Sequence, residues 1–432
     1  MFGYYLQLAL RSFRNSKVLT ALMVLAIALG IGASMTTLTV FHVLSGDPIP
    51  AKSDRLFYVQ LDAASMDGYV AGEEPDRGTT RFDAETLLRE ARGTRQAMMS
   101  GGFVAIAPDG TRTPFFTDAR YTSADFFPMF DAPLAYGRAW TAEDDGARAR
   151  VAVISAETNQ KVFGGGDSTG KTLRINGADF RVIGVLEPWM PTPRFWDLSL
   201  QSFNALESVF LPFSTAIELK LSRMGSMSCW GDSGTDPNAL NAPCTWLQYW
   251  VELASPADAA AYRDYLDSYS DQQRAAGRFE RPNNVRLRDV PALLDHHQVV
   301  PSDVRLQLWL AIGFLLVCLV NTVGLLLAKS LRRASEIGVR RALGASRRAI
   351  FAQFLIEAGA IGVAGGVVGL GLALLGLWAV RQNPSSYAAL AKLDLTMLLT
   401  TFALSIVASL LAGLLPAWRA MQVTPAIQLK SQ

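Results

Sequence analysis

Four stretches of this chain are apolar from end to end, and the rest alternates or carries charge. No Asp, Glu, Lys or Arg occurs between Lys17 and Asp47, between Arg305 and Lys329, between Glu357 and Arg381, or between Asp394 and Arg419. Each window exceeds the roughly 20 apolar residues needed to cross about 30 Å of hydrocarbon. Core helices of soluble domains rarely run so long without a charge. The pattern predicts spanning helices at 18–44, 304–328, 350–380 and 395–418. The first apolar run is longer than the 7–15-residue core of a signal peptide, so it is expected to remain as an uncleaved anchor.

The long segment 45–303 alternates instead. Arg55–Ala63, Val151–Ser155, Leu173–Leu186 and Trp246–Leu253 are rich in β-branched and aromatic residues and read as strands. Asn176-Gly177 supplies a tight hairpin turn, and Pro108-Asp109-Gly110 a second turn. Phe82–Arg92 and Ala257–Ala276 read as amphipathic helices. Strand–helix patterns near both ends, with a β-rich insert between, predict two lobes. The fold class expected is a polytopic α-helical membrane protein with four transmembrane helices. A large mixed α/β extracytoplasmic domain is inserted between its first and second spans.

Composition agrees. Of 432 residues, 50% are hydrophobic and 18% charged, which excludes a disordered chain. The net charge of +2 conceals a polarised distribution. Arg11, Arg14 and Lys17 precede the first window with no acid among them. Lys329, Arg332, Arg333, Arg340, Arg341, Arg347 and Arg348 follow the second, against Glu336 alone; Arg419 and Lys430 follow the fourth. Basic loops stay cytoplasmic. Segments 1–17, 329–349 and 419–432 are therefore expected inside, and 45–303 and 381–394 outside. Apolar residues spaced through 1–17 predict an interfacial amphipathic helix.

Candidate chemistry is sparse. Gly165 through Gly170-Lys171-Thr172 has phosphate-loop spacing, but a β-patterned run follows where a helix is needed. Gly231–Gly234 resembles a serine-protease nucleophile loop, yet the only histidines are His42, His296 and His297. No spacing in the chain suits a metal. No catalytic or metal residue is assigned, and no nucleic-acid partner is implied. Cys229 and Cys244 lie in the outside segment. An oxidising compartment permits a disulfide there, worth about 3 kcal/mol in loop entropy, against the alternative of two free thiols.

The sharpest feature is Lys329–Val363. Lys329 to Arg341 is helical in composition, Gly344 can end that helix, and Ser346 can cap the next. Retention charge or lipid binding is one reading; Glu336 within the basic run, and the compact turn, suit a protein-docking element. Glu357 sits near the inner end of the third window, in a structural or coupling role. Overlapping Gly362/Gly366 and Gly365/Gly369 spacings favour close helix packing, within the chain or with a second copy. Ala26, Gly30 and Ala33 make a similar small face on the first window.

These residues resemble the permease subunits of MacB/FtsX-type ABC transporters. Asn321 followed by LLLAKSLRRASEIGVRRALGASRRAI carries the resemblance, with Glu357, the Gly-rich third window and Pro416-Ala417, Arg419-Ala420 and Pro425-Ala426. Outside, YTSADFFPMF, GRAWTAEDD, VAVIS and VFGGGDSTGKTLRINGADFRVIGVL match too, while 188–250 matches no known pattern. The resemblance implies a non-catalytic subunit of the bacterial inner membrane, with both termini cytoplasmic and the large domain periplasmic. It implies a dimer with a second permease copy or paralogue, each chain bound to a separate ABC-type ATPase that holds ATP and Mg. It admits a periplasmic adaptor, an outer-membrane channel and membrane lipids as further partners. Arg333, Glu336, Arg340, Arg341 and Gly344 would form the coupling helix on the ATPase. The function implied is efflux or extraction of a substrate from the periplasm or outer leaflet. Mechanotransmission to a periplasmic partner and an anchored sensor are the alternatives.

Overall fold

A computed structural model describes residues 13, 16–108, 113–200, 203, 207–231, 234, 236–382 and 395–422. Most of the expected N-terminal amphipathic helix, Asp109-Gly110 of the second turn, residues 383–394 of the expected outside loop and most of the tail lie outside the described residues. The chain forms two compact units, Gly46–Val299 and the remainder.

The helical unit holds four helices long and apolar enough to cross a membrane: Lys17–Ser45, Ser302–Arg332, Arg347–Arg381 and Leu395–Met421, here called the first to fourth spans. They pack through small residues. A Cβ at Gly365 or Gly369 would sit 2.7 Å or 3.2 Å from atoms of the first span. At Gly362 and Gly366 it would sit 2.0 Å and 2.5 Å from Ser409 and Ser405 of the fourth. Both glycine pairs are thus spent on contacts within the chain. On the first span Gly30 meets Leu315 and Cys318, and Gly32 meets Leu372. Ala33 of the expected small face is exposed, because the buried stripe runs through Ile27, Gly30, Ile31 and Ser34. The Ser34 hydroxyl donates to the Ala311 carbonyl at 3.1 Å.

The second unit is α/β. Its strands are β1 (Leu56–Gln60), β2 (Thr79–Thr80), β3 (Arg95–Ala107), β4 (Phe115–Thr122), β5 (Leu134–Gly137), β6 (Val151–Ile154) and β7 (Thr172–Ile175). There follow β8 (Ala178–Leu186), β9 (Val209–Pro212), β10 (Arg223–Met224), β11 (Ser228–Cys229), β12 (Cys244–Glu252) and β13 (Arg286–Asp289). The main path runs β13-β1-β12-β3-β4-β9-β6-β8-β5. The two lobes expected from sequence are one continuous sheet. The cause is β3, thirteen residues long, which pairs with β12 through Arg95–Met99 and with β4 through Met99–Ile106. In the sheet's central strands both faces are buried. Ala152, Ile154, Leu211 and Val251 fill one core, and Val153, Phe210 and Trp250 the other. Strands covered on both faces read as near-continuous apolar runs, as VAVI at β6 does.

Local chemistry sets the boundaries. Thr80 caps helix Arg81–Glu90 by accepting from Asp83 N–H, and Ser255 caps Pro256–Ala275 likewise. Asn176 and Gly177 take positive φ, 47° and 85°, in the turn joining β7 to β8. Thr172 begins β7, so the phosphate-loop-like spacing leads into a strand. Cys229 and Cys244 are cross-strand partners on β11 and β12, and their sulfurs are bonded.

Candidate functional site

The charged segment after the second span folds as a short helix at Ala334–Ala342, broken from that span at Arg333. The expected helix over Lys329–Arg341 is therefore two pieces: Lys329 and Arg332 lie in the last turn of the span, and Arg333 adopts a non-helical conformation with φ −103° and ψ 10°. Gly344 ends the basic helix at φ 99°, a conformation that suits glycine. Ser346 then caps the third span, accepting from Ala349 N–H at 3.2 Å.

Inward, Ile337 of the basic helix packs with Ile350, Phe354, Ala417 and Ala420. Along its flank runs a chain of charges. Glu357 on the third span is 1% exposed. One carboxylate oxygen lies 2.5 Å from Lys329 Nζ and the other 3.4 Å from an Arg333 guanidinium nitrogen. Arg333 Nε reaches Glu336 at 3.0 Å. Glu336 lies 2.5 Å from Arg340, which donates to Gln353 Oε1 at 3.2 Å. Gln353 stands one turn before Glu357 on the third span, so the ring closes on that helix. Partial burial pushes the Glu336 carboxyl up; the Arg333 hydrogen bonds and the charges of Arg333 and Arg340 outweigh it, and the net direction is down. Arg341 donates to the Met421 carbonyl at 3.4 Å, at the end of the fourth span.

The charged residues singled out from sequence thus come together, but with each other and with the spans. Outward, the helix presents Ser335, Val339 and Ala342, and Leu343 is 83% exposed just beyond it. Arg332, Arg347 and Arg348 are exposed around this face. Sequence reasoning missed Lys329 and Gln353 as members of the network. The available signal was the four-residue Gln353–Glu357 spacing at the start of an apolar span, set against the seven-residue Arg333–Arg340 spacing.

In the α/β unit a cleft of about 680 Å³ lies between helix Arg81–Glu90 and the Phe213–Glu218 helix, over Met98. Arg81 pairs with Glu85 at 2.6 Å across its wall. Asp145, also lining it, accepts from Ser214 Oγ at 2.6 Å. Burial raises its carboxyl above the usual range, with Glu85 adding to the shift against the two Ser214 hydrogen bonds. Among the described residues no group of three or more His, Cys, Asp or Glu is placed to hold a metal. His296 approaches Glu74 at 3.8 Å, and burial pushes His297 down to about 4.

A family model for MacB-like periplasmic core domains matches residues 20–269, and one for the FtsX-like permease C-terminal region matches 308–425. The chain belongs to the MacB/FtsX family. Among curated relatives, the macrolide export ATP-binding/permease protein MacB of Azoarcus sp. (strain BH72) is 24% identical over 98% of this chain and 59% of its own length. The pyoverdine export ATP-binding/permease protein PvdT of Pseudomonas aeruginosa is 25% identical over 96% of this chain and 56% of its own. The chain spans about three fifths of the length of the curated relatives it matches. Of solved structures, the periplasmic region of MacB from Actinobacillus actinomycetemcomitans aligns over 58% of this chain and 95% of its own. It does so at 15% identity and a TM-score of 0.37. In this MacB/FtsX chain, the MacB-like match covers most of the α/β unit, and the FtsX-like match contains the basic helix and its ion network. The chain is a membrane protein with an extracytoplasmic domain.

Proposed function

We propose that the chain is the permease component of an ABC transporter, with the basic helix Ala334–Ala342 as the element on which an ABC-type ATPase acts. The observation that carries this reading is the two-sided build of that helix. Its inner side is fixed to the third and fourth spans by Ile337, Arg333, Arg340 and Arg341. Its outer side leaves Ser335, Val339 and Leu343 uncovered. An exposed apolar strip rimmed by arginine suits a protein partner. Arg333, Glu336, Arg340 and Arg341 then set the pose of the helix, Gly344 stops it, and the outer strip meets the ATPase. ATP and Mg belong to the ATPase.

The excess of Lys and Arg around the basic helix supports a cytoplasmic position for it and for both termini. The α/β unit then lies in the periplasm of a bacterial inner-membrane protein. Two permease chains, identical or paralogous, each with an ATPase, would convert hydrolysis into movement of the periplasmic domains. Efflux or extraction from the periplasm or outer leaflet is the direction proposed, since relatives are named for macrolide and pyoverdine export. A cleft of about 680 Å³ in the outside domain is of a size that holds drug-sized ligands. An adaptor and an outer-membrane channel would complete the route.

The test is purification of the tagged chain from native membranes in mild detergent, with mass spectrometry of bound chains and an ATP-hydrolysis assay. A stoichiometric ABC-type ATPase, lost with Val339→Asp or Leu343→Asp, is expected. A folded sample that carries no ATPase would overturn the reading in favour of an anchored sensor.

A further inference from the structure

The carboxylate of Glu357 touches both the end of the second span and the break that starts the basic helix. Lys329 Nζ, 3% exposed as a residue, lies 2.5 Å from one oxygen. Arg333, the break itself, takes the other at 3.4 Å. From Arg333 the connection passes through Glu336 and Arg340 and returns to the third span at Gln353. The apolar contacts of Ile337 could hold the basic helix down without any of these charges. Burying ions costs several kcal/mol each, and apolar replacements of similar volume often serve stability as well or better. The arrangement therefore calls for a reason beyond packing.

Geometry supplies one. Helix-terminal residues with non-helical backbone are where hinges absorb angular change. Arg333 sits at such a point, with no side-chain cap on the helix that follows it. Without a tether, a push on the basic helix would be absorbed at Arg333. With Arg333 and Arg340 both held to one face of the third span, the push turns that span instead.

We infer that Glu357 is a positioning residue that locks the basic helix to the third span, so that displacement of the helix becomes displacement of the span. The inference rests on the permease reading above. It goes beyond that reading in separating two kinds of residue: the outer strip binds the ATPase, and Glu357 transmits its stroke.

The experiment uses the full chain with its co-purified ATPase in lipid nanodiscs, comparing wild type, Glu357→Gln, Glu357→Asp and the double variant Lys329→Met/Glu357→Gln. Three quantities are read: ATPase bound per chain, stimulation of ATP hydrolysis by the chain, and amide hydrogen exchange over 334–342. Glu357→Gln is expected to keep bound ATPase within twofold of wild type while stimulation falls at least tenfold and exchange over 334–342 rises at least tenfold. Glu357→Asp should retain half or more of the stimulation. The double variant removes both buried charges, so its thermal midpoint should return toward wild type while stimulation stays lost. Stimulation within twofold of wild type in Glu357→Gln would overturn the inference. So would a double variant that recovers stability and stimulation together, because Glu357 would then be a packing group. If wild type carries no ATPase, the permease reading fails, and the exchange measurement still decides the anchoring: unchanged exchange over 334–342 in Glu357→Gln overturns it.

Discussion

Two ion networks in this chain solve different problems. In the outside domain, Arg120 on β4 lies 2.7 Å from Asp197, donates to Glu207, and shares Glu207 with Arg194 at 3.3 Å. All four side chains are at most 3% exposed. This network is closed off from solvent, and it ties the Trp-bearing segment before β9 to the sheet, beside Trp196 and Trp250 in the same core. The network around Glu357 is graded. It begins at a fully buried carboxylate, surfaces at Glu336, whose side chain is 43% exposed, and returns through Arg340 to the buried Gln353. A closed network fixes a segment once. A graded one is rigid where it meets the span and yielding at the surface, which is what a lever needs.

Removing the centre of the closed network should have the largest effect. Arg120→Met leaves Asp197 and Glu207 buried without their main cation, and breaking such a pair costs about 3–5 kcal/mol. Burial pushes Glu207 up, and Arg120 and Arg194 more than offset it, so its carboxyl lies below the ordinary range. Thermal denaturation of the full chain, followed by tryptophan fluorescence, should show that loss in the outside domain. A drop under about 1 kcal/mol would mean that the aromatic core, not the ions, holds the segment.

Helix packing comes next and sharpens the same contrast inside the spans. A Cβ at Gly366 would lie 2.5 Å from Ser405 Oγ, whereas one at Gly371 meets nothing within 4 Å. Gly366→Val should cost about 1–3 kcal/mol by overpacking. Gly371→Ala should be neutral or stabilising, since alanine exceeds glycine in helix propensity by up to about 1 kcal/mol. Detergent thermal midpoints of the two variants measure the difference. Equal midpoints would mean that Gly366 faces open space.

Much of this was readable in advance. The spans follow from charge-free length, the β7–β8 hairpin from Asn176-Gly177, and the break after the basic helix from Gly344 and Ser346. Each of these is a local signal. What escaped was set by long-range pairing. Nothing local says that β3 would run on from β12 to β4 and merge two expected lobes into one sheet. Nor does composition say which way an arginine faces: Arg333 and Arg340 read as partner-facing until Glu357 and Gln353 are placed beside them. Glycine spacing likewise announced close packing but not the partner, which Ser405, Ser409 and Ile27 settle.

The smallest effect belongs to the exposed part of the graded network. Glu336 lies in the first turn of the basic helix, where a carboxylate also meets the favourable end of the helix dipole. Exposed ion pairs are nevertheless worth about 0–1 kcal/mol, so Glu336→Gln at neutral pH should change stability by a few tenths of a kcal/mol at most. The pH dependence carries more information. Because the folded carboxyl is held below its unfolded value of about 4.3, its contribution is complete above that value. It is lost as pH falls through the lower folded one. Acidification through that lower value should therefore release Arg333 and Arg340 from Glu336. Hydrogen exchange at the amides of 336–340, corrected for its intrinsic pH dependence, should rise there in wild type and stay flat in Glu336→Gln. Equal acid response in both would mean that Glu336 does not hold the helix, and would shorten the lever to its buried contacts.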